Sequence, residues 1–135
     1  MLVAKVNLRQ FLLPITTFVR IIDLDGFPTA PILEYQSAAA AAASIAQGQG
    51  DGHIHWLRFE PGGVIGPHPA GPAQLLIPLM GTGWVAGPDA VRHAIGPGQV
   101  AVVDAGEVHS KGSEGGMRAL MVQLTTLAPR DQAVD

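Results

Sequence analysis

The chain has 135 residues, a net charge of −3 and no cysteine. This length suits one domain with a sizeable core and is too short for two. The sequence has no cluster of lysine and arginine, so it lacks the electrostatic footprint of a nucleic-acid-binding protein. It also has no apolar run long enough to span a bilayer. Without cysteine there is no disulfide framework and no thiol nucleophile, which agrees with the cytoplasmic location that we expect.

The composition favours a protein of short strands that associates with itself. Seventeen glycines and eleven prolines interrupt the chain, which argues against a helical bundle. Charged residues make up 14% of the sequence and hydrophobic residues 47%. So little charge leaves apolar surface for a partner to cover, and we expect a homodimer.

The first fifty residues give few signals. Residues 1–20 are either a strand docked on the sheet or partly an upstream extension from a misassigned start codon, and the sequence does not settle whether residues 1–16 belong to the native start. The apolar stretch at 11–19 is broken by Pro14, and we interpret it as part of the structure rather than a leader peptide. Residues 19–24 are rich in branched side chains and predict an edge strand.

The middle of the chain contains a segment of nearly pure alanine at 37–46. Alanine has the highest helix propensity, which favours a short helix, although the segment lacks a large apolar face. The glycine-rich residues 48–52 then predict a flexible turn. Residues 53–60 alternate as a strand does, so that His55 shares a face with Leu57 and Phe59 and is expected to point inward.

Short apolar segments follow at close intervals. The predicted strands are 74–79, 83–86, 91–95, 99–104 and 117–126, with a turn at 87–90 that has proline at its second position. Such strands separated by glycine and proline predict an all-β protein whose sheets close on themselves. We divide the chain into an N-terminal extension with edge strands at 1–52, a barrel core at 53–127 and a frayed tail at 128–135, all within one structural domain.

Two segments carry the chemical information. In the first, His68 follows Gly62 after five residues, Ala70 and Gln74 come next, and Gly81 closes the segment. In the second, the ordered positions are Gly98, Asp104, Gly106, His109 and Ser113.

These segments resemble the paired motifs of the cupin family over about residues 53 to 124. The spacing is kept, but Ala70 replaces a histidine, Asp104 a proline and Ser113 an asparagine. The resemblance implies a double-stranded β-helix, or jelly-roll, barrel with the N-terminal strand extension outside it. In that frame the alanine-rich segment is expected to be strand or loop, so helix and strand both stay open for it.

The resemblance also implies a candidate site. Cupins hold a divalent transition metal with imidazole and carboxylate or amide ligands, so the expected ligands here are His68, Gln74 and His109, and the metal is Fe, Mn, Ni, Cu or Zn. The same three residues, with His55 and Trp84, are the candidate substrate-binding residues. Three neutral ligands leave the charge of a divalent ion uncompensated, which predicts a weakened or absent metal site.

Three functions therefore compete. The first is a small cupin of unassigned activity that binds a small organic molecule in its barrel. The second is a metal-dependent dioxygenase or isomerase that uses His68, Gln74 and His109 as ligands. The third is a non-catalytic module whose apolar surface serves assembly. The fold alone does not choose among them.

Overall fold

The structure is a computed structural model, and it describes residues 19–130. The predictions for residues 1–18, including the start codon and the leader peptide, lie outside the described residues. The same holds for residues 131–135 of the predicted tail.

Eleven strands build the described part of the chain. They are β1 (Arg20–Asp23), β2 (Ala30–Pro31), β3 (Ala41–Ala42), β4 (Ala46–Phe59), β5 (Gly63–Pro69), β6 (Ala73–Gly81), β7 (Gly83–Ala86), β8 (Arg92–Ile95), β9 (Gln99–Val103), β10 (Val108–Ser113) and β11 (Met117–Pro129). A short 3-10 turn, Leu24–Gly26, follows β1. No helix among residues 19–130 is long and apolar enough to cross a membrane.

Two antiparallel sheets face each other. The larger has the strand order β1-β9-β6-β11-β4, and the smaller has the order β5-β10-β7-β8. Strands that are distant in sequence pair in both sheets, as β4 with β11 and β5 with β10 show. This arrangement confirms the predicted all-β jelly roll, in which closure of the sheets brings the two sequence motifs together.

The main core lies between the two sheets. Leu76 and Ala101 from the larger sheet pack in one buried cluster with Val85 and Ile95 from the smaller sheet. A second cluster, built on Leu75, covers the outer face of the larger sheet. Successive residues of β6 point in turn to the two clusters, so both faces of the strand are buried. This explains why its sequence is an apolar run rather than an alternating pattern.

The alanine-rich segment is not a helix, so that part of the fold prediction was wrong. Ala41 and Ala42 form β3 and pair with Ala30–Pro31, and Ala39 has a positive φ of 55°. High propensity does not make a short helix stable in water unless an apolar face packs against the rest of the protein. This segment has no such face, so the strand or loop expected from the cupin frame is what forms.

The glycine-rich residues 48–52 are also strand rather than turn. They belong to β4, which runs unbroken for 14 residues and crosses the boundary that we placed at residue 52. A Cβ at Gly48 would lie 2.8 Å from the backbone carbonyl oxygen of Thr126 on β11. Glycine therefore permits the close approach of the two strands here, and this is a different use from a flexible turn.

Several strand predictions are confirmed. Residues 83–86 form β7 with the predicted bounds, and the turn after it closes with a hydrogen bond from Ala90 N to Gly87 O of 3.0 Å. Residues 19–24 contain β1, which lies at one edge of the larger sheet. β11 continues to Pro129, beyond the predicted start of the tail.

The predicted homodimer stays a prediction. Among the described residues, β4 pairs on one side only, with β11, and so forms the second edge of the larger sheet. Ile54 and Trp56 on this strand are exposed. An edge strand with large apolar side chains is the kind of surface that a partner covers.

The motif glycine Gly81 provides a test of the fold. Its φ is +73°, and a Cβ added there would collide with the Gly116 carbonyl oxygen at the start of β11. Gly62 has a similar φ of +83°, but a Cβ there would meet no atom within 4 Å. Gly62→Ala should therefore lower the free energy of unfolding by about 1–2 kcal/mol, the cost of the left-handed backbone alone.

Gly81→Ala should cost more than Gly62→Ala, because strand β11 must also move away. Urea unfolding of both variants measures the difference. Equal losses would contradict the close approach of Gly81 and Gly116.

Candidate functional site

Strand β10 carries two buried ionisable side chains on one face, His109 and Lys111. Lys111 lies opposite Val85 of β7, a member of the core cluster between the sheets. His109 and Lys111 are two residues apart, so both point to this interior face. Only 1% of His109 and 2% of Lys111 is exposed.

The Lys111 side chain reaches from the smaller sheet to the larger one. Its Nζ donates a hydrogen bond to Gln74 Oε1 of β6 at 2.8 Å, and it lies 3.7 Å from Met121 Sδ of β11. Gln74 is itself 2% exposed. The amide oxygen expected to face a metal therefore already faces a lysine nitrogen.

The two motif histidines are in contact. The ring centroids of His68 and His109 are 4.5 Å apart and the rings are tilted by 51°. His68 is exposed whereas His109 is buried, so the pair leads from the surface into the barrel.

A bulge in β5 sets the direction of the His68 ring. Three steps along β5, from His68 to Ile65, match two steps along β10, and such bulges redirect a side chain. Within the bulge, His68 Nδ1 is 2.8 Å from the Gly66 carbonyl oxygen. A carbonyl only accepts, so Nδ1 carries a proton, and Nε2 is the ring nitrogen left for a ligand.

The imidazole of His109 is neutral at physiological pH. Burial lowers its pKa to about 4, and the nearby Lys111 and His68 lower it in the same direction. Its Nε2 is buried and has no hydrogen-bond partner in the structure. A buried imidazole nitrogen without a partner is unfavourable, so it is a place where a ligand atom would be stabilised.

Lys111 is a buried amine without a carboxylate. The ion pairs found among residues 19–130 are Arg20 with Asp104 and Arg58 with Glu60. Burial lowers the pKa of Lys111 to about 8. A buried ammonium that lacks an anionic partner destabilises the fold, and the group responds by releasing its proton more easily.

Glu107 precedes β10 but does not neutralise Lys111. Its two carboxylate oxygens are buried. Burial is the main cause that raises its pKa; hydrogen bonding to the Asp104 backbone lowers the pKa in part, and the charge of Asp104 adds to the rise. Its backbone pairs with Ala70, whose N–H donates to the Glu107 carbonyl at 2.9 Å.

The structure does not bring the other two candidate substrate-binding residues into this cluster. His55 lies opposite Met121 and on the face of Leu57, as predicted, but it is exposed and its ring stacks on His53 at 6.0 Å. Trp84 lies on the outer face of β7, opposite Gly112, where the Arg92 guanidinium covers its ring at 3.8 Å.

The substituted motif positions have structural roles. Ala70, in place of a histidine, packs in the core cluster. Ser113 is buried, donates to the Thr82 carbonyl at 2.6 Å and accepts from Gly116 N at 2.8 Å. Asp104 pairs with Arg20 at the surface at 3.3 Å.

The residue that sequence analysis missed is Lys111. A usable signal existed, because the sequence has only two lysines, Lys5 and Lys111, and one of them follows His109 by two residues. Strand alternation then places Lys111 on the same face as the motif histidine. The cupin motif has no position for a lysine there, so the motif alone does not mark Lys111 as a site residue.

Comparisons with solved structures identify the architecture. The chain is similar to a cupin-like protein from Thermotoga maritima, with a TM-score of 0.52, 20% identity and coverage of 55% of this chain and 57% of that one. A cupin superfamily protein from Desulfitobacterium hafniense matches with a TM-score of 0.51 and 19% identity over 78% of this chain and 97% of that one. The fold is that of the cupins.

A third similar structure is a conserved protein of unknown function from Streptococcus pyogenes, with a TM-score of 0.51 and 22% identity over 56% of this chain. The chain spans 66% of that protein's length and 57% of the length of the Thermotoga protein. No protein-family model matches the sequence, and no curated protein matches it. These identities support the cupin fold and leave the activity open.

The interior of this cupin fold does not suit the divalent metal that the fold implies. Nε2 of His68 and Nε2 of His109 are suitable donors, but Gln74 Oε1 is taken by the Lys111 amine. The charge of that amine also repels a second cation. Among residues 19–130, no group of three or more histidine, cysteine, aspartate and glutamate side chains is placed to hold a metal ion.

Removing the lysine should therefore improve metal binding. Lys111→Met frees Gln74 Oε1 and removes the positive charge, so Ni²⁺ and Zn²⁺ should bind at least about tenfold more tightly, a difference of 1.4 kcal/mol. Titration calorimetry measures both proteins, with Lys111→Met/His109→Ala as the control that should lose the gain. Equal affinities of the wild type and Lys111→Met would contradict the repulsive role of the amine.

The pKa of Lys111 also predicts a pH dependence of stability. Its pKa is about 8 in the folded protein, whereas an ordinary lysine has a pKa of about 10.4. Between these two pH values the unfolded chain binds more protons, so the free energy of unfolding should rise with pH. Urea unfolding from pH 7.5 to 10 measures the slope. Lys111→Met should lack this rise while Lys5→Arg keeps it, and a rise that persisted in Lys111→Met would have another origin.

Proposed function

We propose that this protein binds a small organic anion, a carboxylate, between its two sheets. The observation that carries the proposal is the buried Lys111 amine, which has no carboxylate partner among residues 19–130. Folding alone gains nothing from an uncompensated charge in this position. A bound carboxylate supplies the missing negative charge and forms a charge-assisted hydrogen bond with Nζ.

The neighbouring residues have distinct roles in this proposal. Gln74 holds the Lys111 amine in place from the opposite sheet through its Oε1. His109, whose Nε2 has no partner, provides a hydrogen-bonding group beside the amine. His68 lies at the surface end of the imidazole pair, where its ring is exposed. The ligand then meets one charged group and two imidazoles.

The alternative of a metal-dependent dioxygenase or isomerase has less support. It requires Gln74 to turn from Lys111 to a metal ion, and it places two cations next to each other in a poorly solvated interior. The carboxylate proposal needs neither change. It also agrees with the expectation from the sequence of a small organic ligand in a barrel with a weakened metal site.

Thermal unfolding with paired ligands tests the proposal. Acetate, lactate and succinate should raise the melting temperature, whereas acetamide, lactamide and succinamide, which lack the charge, should not. A ligand at a hundred times its dissociation constant stabilises the native state by about 2.7 kcal/mol. The acids and the amides are compared at equal millimolar concentrations and at matched ionic strength.

Lys111→Met is the variant that should lose the stabilisation by carboxylates. Lys5→Arg is the matched control, because it changes the other lysine of the chain and should keep the full shift. Equal shifts with acids and amides, or a shift that survives in Lys111→Met, would contradict a carboxylate site at Lys111.

A further inference from the structure

We propose that Lys111 Nζ forms a reversible imine with the carbonyl carbon of a small 2-oxo acid bound between the sheets. This inference rests on the proposed carboxylate site and specifies its ligand class. It assigns to the lysine a covalent role in addition to that of a counter-charge.

The geometry explains why the carbonyl and the carboxylate should be adjacent in the ligand. Lys111 is the one lysine among residues 19–130, and its buried amine reaches Gln74 on the opposite sheet. The same nitrogen attracts the carboxylate and attacks the carbonyl, so both groups must lie within reach of one atom. A 2-oxo acid satisfies this condition because its carbonyl carbon is bonded directly to the carboxylate.

The reaction is balanced without an oxidant or a reductant. The neutral amine adds to the carbonyl carbon, forming a C–N bond, and the carbonyl oxygen becomes a hydroxyl. The two amine hydrogens leave with that oxygen as water, and a C=N bond remains. The reverse reaction consumes one water and restores the free lysine and the 2-oxo acid.

Neighbouring groups orient the reacting atoms. His109 lies two residues from Lys111 on the same face of β10, and its Nε2 is not engaged by the protein. This nitrogen can accept a hydrogen bond from the hydroxyl that forms on the carbonyl carbon and so orient it, while the amine proton reaches that hydroxyl through water. Gln74 Oε1 accepts a hydrogen bond from Nζ and thereby restricts the orientation of the amine.

Burial also makes the amine reactive. The Lys111 side chain is 2% exposed and has no carboxylate partner among residues 19–130, so its charged form is poorly solvated. An amine activated by desolvation in this way is a known route to imine chemistry. We expect its labelling to exceed that of an ordinary lysine at least about tenfold.

Reductive trapping tests the inference. The full chain is incubated with pyruvate and sodium cyanoborohydride at pH 7, and its intact mass and proteolytic peptides are measured. Trapping should add the mass of pyruvate less one oxygen atom. The adduct should lie on the Lys111 peptide, at least about tenfold above the Lys5 peptide of the same molecule.

The variants separate the site from general amine reactivity. Lys5→Arg should keep the adduct, and Lys111→Arg should lose it. Circular dichroism checks the fold of each variant, but peptide mapping of the wild type decides the site even where Lys111→Arg does not fold. An adduct equal on both lysines, or confined to Lys5 and the terminal amine, overturns the inference.

Lactate distinguishes the failure of this inference from the failure of the proposed function. Lactate has a hydroxyl where pyruvate has the carbonyl, so it should raise the melting temperature and yield no adduct. Stabilisation by lactate without any pyruvate adduct would overturn the imine and leave the carboxylate site standing. No stabilisation by either acid and no adduct would overturn both.

Discussion

Lys111 and Gln74 belong to opposite sheets of the barrel, and their side chains meet at 2.8 Å inside it. The hydrogen bond forms because β10 and β6, in different sheets, face each other across the interior. It fixes the position of a positive charge in an environment that solvates it poorly, since both side chains are 2% exposed. The low pKa of Lys111, the poor fit to a metal ion and the proposed preference for an anion all follow from the burial of this charge.

The same charge connects the stability of the fold to its proposed function. A buried lysine that has lost part of its basicity makes the folded state less stable at neutral pH than a neutral residue with its own partner would. His109 adds a second unfavourable feature, because its Nε2 has no hydrogen-bond partner in the structure. Both features lie on one face of β10 and would be relieved by the same ligand. A buried charge without a counter-ion and a nitrogen without a hydrogen-bond partner at one place indicate a binding site more strongly than either feature does alone.

The sequence predicted most of the strands and the histidine pair. It failed where the local preference of the residues and the pairing of strands favour different structures. His68 and His109 meet because the motif spacing reflects the register of β5 against β10. Alanine propensity and glycine flexibility both misled, since residues 41–42 became a strand by pairing with residues 30–31 and residues 48–52 by pairing with the distant strand β11. Such pairing depends on long-range contacts that a local pattern does not contain.

Lys111 shows a different limit of prediction from sequence. The period of two along β10 places it beside His109, yet a lysine on a strand is usually exposed, and its burial depends on Gln74 from another sheet.

The two proposed roles of Lys111 are compatible because they use different protonation states of one amine. The ammonium attracts the carboxylate, whereas the free amine attacks the carbonyl. A bound carboxylate stabilises the ammonium and so opposes the attack, but the imine can itself be protonated and then pairs with the same carboxylate. A positive charge on the Lys111 nitrogen is therefore present both before and after the imine forms, and the carboxylate of the ligand compensates it in both states. His109 is neutral above about pH 4, so it lies beside the site without adding a second charge. A divalent metal in the same space would hold the anion too, but it would lack a nucleophilic nitrogen, and that difference separates this interior from the metal site implied by the fold.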